Sequence, residues 1–272
     1  METVLVEGGS FMFGRCADQN PDGGTLVEIV ESFHIGRFPV TQGQWYAVMT
    51  NNRRPSFFDG TNAAGDWVDG GWESNPATPM FNRNNLPVEQ VSWYDVLVFA
   101  NRLSIQDGLR PAYRINNSTN PDDWGDIPTA NDADWNDVEI VAGANGWRLP
   151  TEHQWEFAAK GGRLSSGFSG TDSDTYFIFS GSDDADEVAW HWGNSGGRTH
   201  PVGEKESNEL GLYDMSGNVW EWAWDRWTPE GAYRVVRGGS WYSAAAFSRS
   251  VIRSDVNPTD LNFDLGFRLV RP

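Results

Sequence analysis

The chain is 272 residues long, with 38 acidic and 20 basic side chains and a formal net charge of −18. That charge repels phosphate backbones and excludes nucleic acid as a general partner. A single cysteine, Cys16, excludes an internal disulfide and a thiolate-caged zinc.

Tryptophan is the outlier, at 15 residues in a chain only 39% hydrophobic, so large rings must supply much of the core area. Apolar runs such as Val96–Ala100 fall far short of the ~18 residues that cross a bilayer. No secretory signal is visible at Met1.

In chain order, short strands are expected at Val4–Val6, Phe11–Phe13, Val27–Val30 and Phe33–Ile35. Thr41 and Gln44 have capping-box spacing before Trp45, Val48 and Met49, which predicts a first helix. Ser92 and Asp95 offer caps to a second, whose face is Trp93, Val96, Leu97, Ala100 and Leu103. Thr151 and Gln154 open a third, stopped by Gly161-Gly162. Further strands are expected at Val138–Val141, Val188–Trp192, Val219–Trp224, Arg234–Val236 and Phe267–Val270. The polar stretches 51–84 and 114–137 read as surface insertions. With no linker and no repeat, residues 1–272 read as a single α+β domain, expected to be a monomer.

Local catalytic signatures are missing. The four histidines form no HExxH pair; His153 and Glu156, at i and i+3, fit either a metal pair or a solvated helix face. Asp132–Asp137 begins like a calcium loop, but Asp137 stands where glycine is required, and a solvated acidic loop fits better. The glycine pairs lie in no phosphate-binding frame, and no Ser/His/Asp order stands out.

Longer motifs do carry a signal. They are GGSFMFG (8–14), PVTQGQWYAVM (39–49), PVEQVSW (87–93), GWRLPTEHQWEFAAKGG (146–162), NSGGRTHPVG (194–203), NELGLYDMSGNVWEWAWD (208–225), RVVRGGSW (234–241) and LGFRLV (265–270). In these the chain resembles the formylglycine-generating enzyme (sulfatase-modifying factor) family. The resemblance implies a C-type-lectin-like fold of short helices, short antiparallel strands and much irregular structure. Trp45, Trp93, Trp155, Trp220, Trp222 and Trp241 fall inside the motifs and read as scaffold pins, not a sugar-stacking platform.

Family enzymes bind copper and substrate through two cysteines after the GGS element. Alignment on Gly238-Gly239-Ser240 puts Ser243 and Ser248 at those positions. A hydroxyl neither holds Cu(I) well nor exchanges disulfides, so no catalytic residue is assigned and no cofactor is required. The resemblance also implies a calcium site at the GNxWEW turn, here Asn218, the Val219 carbonyl and Glu221. The alternative is that Asn218 shapes the turn while Glu221 pairs with an arginine.

Residues 242–264 keep family markers at Ala245, Arg249, Ser250, Arg253 and Pro258, with no helical or alternating period between them. Trp, Met, Gln, Glu and Lys are all absent there. These are the residues that asparagine codons cannot reach when their two adenines are randomised. In this the chain is similar to the variable proteins of diversity-generating retroelements, which carry a C-terminal variable region on the same fold.

That resemblance implies a non-enzymatic, receptor- or adhesin-type protein on a bacterial cell surface, held by a lipid anchor outside this chain. Its ligand would be an unidentified protein or surface component. The variable ligand-binding residues would be Tyr242, Ser243, Ala244, Ala246, Phe247, Ile252, Ser254, Asp255, Val256, Asn257, Asp260, Phe263 and Asp264. Other readings are a family member with a drifted pocket, an enzyme with different chemistry, and a structural partner-binding module. Residues 234–272 hold six arginines and three aspartates, a positive end on an acidic body. Arg237, Arg249, Arg253 and Arg268 are expected to bridge carboxylates and loop carbonyls.

Overall fold

The computed structural model describes residues 1–18, 23–49, 55–58, 83–165 and 176–272. The chain starts with β1 (Thr3–Val6), β2 (Gly9–Phe13), β3 (Thr25–Ile29) and β4 (Phe33–Gly36). Next come α1 (Gln42–Val48) and α2 (Trp93–Gln106), then β5 (Tyr113–Arg114), α3 (Ala133–Asn136) and β6 (Glu139–Ile140). The second half holds α4 (Glu152–Ala159), α5 (Ala185–Val188), β7 (Trp220–Arg226), β8 (Arg234–Arg237), β9 (Arg253–Val256), β10 (Leu265–Gly266) and β11 (Val270–Arg271).

All three expected helix starts form complete capping boxes: Thr41 with Gln44, Ser92 with Asp95, and Thr151 with Gln154. Each box satisfies two backbone N–H groups that the first helical turn leaves open. Gly161 takes φ +83° just past α4, where a side chain would be strained.

Two sheets position everything else. In one, β4 lies between β1 and β11, so the two chain ends share a strand. The other runs β10-β7-β8-β9; β7, β8 and β9 are antiparallel, and β10 is parallel to β7. One core packs α1 and α2 against Trp222, Val236, Leu265 and Phe267. A second packs α4 against β1, β2 and β4 through Trp155, Phe157, Phe11 and Ile35.

Trp45, Trp93, Trp155 and Trp222 are fully buried. Buried indole N–H groups need partners. Trp93 donates to the Ala223 carbonyl at 3.0 Å, Trp222 to that of Val91 at 2.9 Å, and Trp155 to Glu221 Oε2 at 2.7 Å. These rings therefore fix directions as well as fill space.

Several expectations need correction. Val188–Trp192 is not a strand: Asp184 caps the short helix α5, and Trp190 makes one bridge to Gly217. Phe267–Val270 is not one either. Phe267 and Leu269 are buried irregular backbone whose carbonyls accept from Val40 and Gly36, and pairing resumes only at Val270. The 114–137 stretch is no mere insertion, because Trp124 and Trp135 pack edge to face, 5.7 Å apart, inside the first core. Most of 51–84 lies outside the described residues. Strand β9 has no signal in the sequence, because it mixes Arg, Ser and Asp with one valine.

Candidate functional site

The segment 242–264 leaves β8 through Gly238-Gly239 and returns at β10, with β9 midway. Both of its ends are tied to one turn. Trp241 N–H donates to the Asn218 carbonyl at 2.9 Å, and Trp220 N–H donates to the Asp264 carbonyl at 2.8 Å. The turn needs left-handed backbone at Gly217 (φ +75°) and Asn218 (φ +64°).

Asn218 is fully buried. Its Oδ1 accepts from His200 N–H at 3.1 Å, and its Nδ2 donates to the His200 carbonyl and to Asp214. Glu221 accepts from Trp155 and, on both carboxylate oxygens, from Arg268. These oxygens are committed to the protein, so the Asn218 and Glu221 side chains do not fit a calcium ion that requires six to eight free donors. The arginine partner is the arrangement found.

Around that anchor the exposed residues include Tyr242, Ala244, Ala246, Phe247, Asp255, Asp260 and Phe263, with Ser243, Ile252, Ser254, Val256, Asn257 and Asp264 half-buried. The fold brings four of them together. Tyr242 and Phe263 meet edge to face at 5.3 Å over the buried ring of Trp241. Beneath them runs a polar chain: Trp220 Nε1–H donates to Ser243 Oγ (3.2 Å), Ser243 and Ser240 share a hydrogen bond (3.0 Å), and Ser240 donates to Asp264 Oδ2 (2.7 Å). Burial pushes the Asp264 carboxyl above the usual carboxylate range, and the Ser240 hydrogen bond offsets this in part.

Others serve different ends. Val256 packs against the first core, and Asn257 Oδ1 accepts from Thr259 N–H and Oγ1–H, shaping a turn. Phe247 is 53% exposed and has no ring partner among the described residues. The two serines that the resemblance puts at the family cysteine positions differ: Ser243 joins the polar chain, while Ser248 is fully buried with its Oγ unpartnered among the described residues.

Two exposed members of the aromatic group were not anticipated, besides the half-buried Phe58, which meets Trp241 at 5.3 Å. Trp192, 61% exposed, meets Tyr242 at 5.2 Å, and Phe57, 63% exposed, meets Phe263 at 6.2 Å. The Ser243 carbonyl accepts from Trp192 N–H at 2.9 Å. Glu89, buried, accepts from the Phe57 and Phe58 amides at 2.9 and 3.0 Å. No local motif marks either ring, although an unassigned tryptophan two residues before NSGGRTHPVG was a place to look.

The arginines hold the frame. Arg237 pairs with Glu156 at 2.5 Å in full burial, Arg268 with Glu221, Arg253 with Glu152 at 2.9 Å, and Arg249 with Asp18 at 2.7 Å. Glu156 also accepts from Lys160 Nζ and Gly14 N–H, so it belongs neither to a solvated face nor to a metal pair.

Two small sheets, short capped helices and much irregular backbone define the C-type-lectin-like fold of the formylglycine-generating enzyme type. The chain belongs to the sulfatase-modifying factor enzyme 1-like domain family, whose model matches residues 1–272. It is 36% identical over 295 residues to the chaperone protein LppX of Paenibacillus barcinonensis, covering 99% of this chain and 89% of that protein. The solved Treponema denticola variable protein 1 superposes with a TM-score of 0.78 at 33% identity, covering 99% of this chain and 95% of the other. The inactive Cα-formylglycine-generating enzyme 2 of Mus musculus is 32% identical over 163 residues, 49% of this chain and 46% of that protein. The chain therefore spans under half of that mouse relative.

Proposed function

We propose that this protein is a non-enzymatic, surface-displayed binding protein whose specificity resides in Tyr242–Asp264, with the other residues serving as a fixed frame. One observation carries the reading. Tyr242 and Phe263 stand exposed over a floor of Ser240, Ser243 and Trp241, and both ends of their segment are tied to the Asn218–Trp220 turn. Rings of this kind supply contact area at low entropic cost, while Asp255, Asp260 and Ser254 add adaptable polar contacts. The likeness to a variable protein and to an inactive family member supports the same reading.

A second reading, a module for a fixed polypeptide partner, draws on the relative named as a chaperone. A library randomised at Tyr242, Ala244, Phe247, Asp255, Asp260 and Phe263 separates the two. The display reading expects folded variants with melting temperatures near that of the parent and different targets. Library members that fail to fold, or that all keep one parental partner, would reject it. Incubation with Cu(I) and a cysteine peptide should yield no aldehyde; aldehyde formation would establish an enzyme.

A further inference from the structure

The buried carboxylates among the described residues are partnered. Glu221 has Arg268, Glu156 has Arg237 and Lys160, and Glu152 has Arg253. Glu89 accepts from two backbone amides and Asp95 closes a capping box. Asp214 accepts from Gly203 N–H and Asn218 Nδ2. Asp264 differs from these in its place, half-buried at the surface and not in the core. Among the described residues its one side-chain partner is the Ser240 hydroxyl, its own backbone N–H also donates to it, and no basic side chain pairs with it. It sits beside exposed rings on the face proposed to bind ligand.

A half-buried carboxylate without a counter-charge costs solvation energy that an incoming cation restores. The surroundings suit an organic cation. Tyr242 and Phe263 offer π-faces that attract ammonium or guanidinium groups, and Trp192 extends the ring surface by one member. Their apolar area also matches the methylene stem of a long basic side chain. One carboxylate and two serine hydroxyls are too few oxygens for calcium, which takes six to eight. The net charge of −18 draws cations towards the molecule as a whole, and four arginines of its positive end, Arg237, Arg249, Arg253 and Arg268, are each paired with a carboxylate.

We infer that Asp264, with Tyr242, Phe263 and Trp192, forms a subsite for the lysine or arginine side chain of a polypeptide ligand. This rests on the binding-face reading above and adds the chemistry that its floor selects.

The test titrates the protein with Nα-acetyl-lysine N-methylamide and with its uncharged isostere, Nα-acetyl-norleucine N-methylamide. Binding is read from the indole N–H resonances of Trp220, Trp192 and Trp241. The lysine amide should shift these three resonances saturably and bind at least about tenfold more tightly than the norleucine amide, the scale of one charge-assisted hydrogen bond. Asp264→Asn should abolish the preference. Tyr242→Leu, which keeps the carboxylate, should weaken both probes.

The comparison of the two probes on the unaltered protein decides the matter even if a variant fails to fold. Equal binding of both probes with shifts at the three indoles would end the cation inference and leave the binding face standing. Shifts confined to distant indoles such as Trp147, or no shift with either probe, would overturn the subsite, the former counting against the face as well.

Discussion

Arg268 and Glu221 lie side by side in the dry centre of the molecule, both at most 1% exposed. Arg268 Nε is 2.7 Å from Glu221 Oε2, and Nη2 is 2.7 Å from Oε1. The same guanidinium reaches the Gly36 and Tyr213 carbonyls, and Glu221 also holds Trp155. One ion pair therefore joins β4, β7, α4 and the C-terminal end of the chain.

Removing one partner of such a pair strands a buried charge. Arg268→Met should destabilise the protein by about 3–5 kcal/mol in urea unfolding. The double change Arg268→Met with Glu221→Gln should recover much of that loss. A single variant within about 1 kcal/mol of the parent would contradict this description of the core.

Arg253 is a milder case. It pairs with Glu152, its guanidinium lies 4.4 Å from the Trp227 ring centroid, and its side chain is 35% exposed. Solvent screening reduces the pair to about 1 kcal/mol, so Arg253→Ala should lower the melting temperature by about 2–4 °C. An unchanged melting temperature would show that the bridge between β9 and α4 adds nothing.

Frame and face should respond in opposite ways. A Cβ on Gly239, at φ +71°, would lie 2.6 Å from Ser248 Oγ and 2.9 Å from the Phe247 carbonyl. Gly239→Ala should therefore cost several times more stability than Phe247→Ser, which should stay within about 0.5 kcal/mol of the parent. Thermal unfolding of the two variants checks the order, and equal losses would count against a rigid frame.

Asp214 gives a pH signature. Burial raises its carboxyl to about 6, against an ordinary value of 3.8, even with Gly203 N–H and Asn218 donating to it. The folded state thus holds this proton more tightly than the unfolded chain does. The contribution of Asp214 to stability is fully favourable below pH 3.8, falls as pH rises through the interval to 6, and is lost above it. The full difference is about 3 kcal/mol at 1.36 kcal/mol per pH unit. Asp214→Asn, which tolerates the left-handed backbone there, should flatten stability between pH 4 and pH 6 relative to the parent. Parallel curves would refute the assignment.

Much of the frame was legible in the sequence, because caps and motifs are local. Thr41, Ser92 and Thr151 announced three helices, and GNVWEW and RVVRGGSW marked β7 and β8 of the sheet that carries residues 242–264. The pairing of Arg253 with Glu152, 101 residues apart, lies beyond any local pattern. So does the meeting of Trp192 with Tyr242, where side chains converge from separate loops. Val256 and Asn257, read as variable ligand-binding residues, are half-buried and also serve the core and a turn, constraints that do not show in residue type. Glu156 misled for the same reason: its helix position admitted a solvated face, and only the fold delivers Arg237 and Lys160 to it.

The central claim is that Tyr242–Asp264 is a selected surface on a fixed frame, and its coding DNA tests this most directly. Sequencing the surrounding locus should reveal a near-copy of the 3′ coding end that differs from the gene almost only at adenines, with the differences falling in the codons for residues 242–264. A locus without such a copy, or one whose differences are scattered over all four bases, would contradict the account.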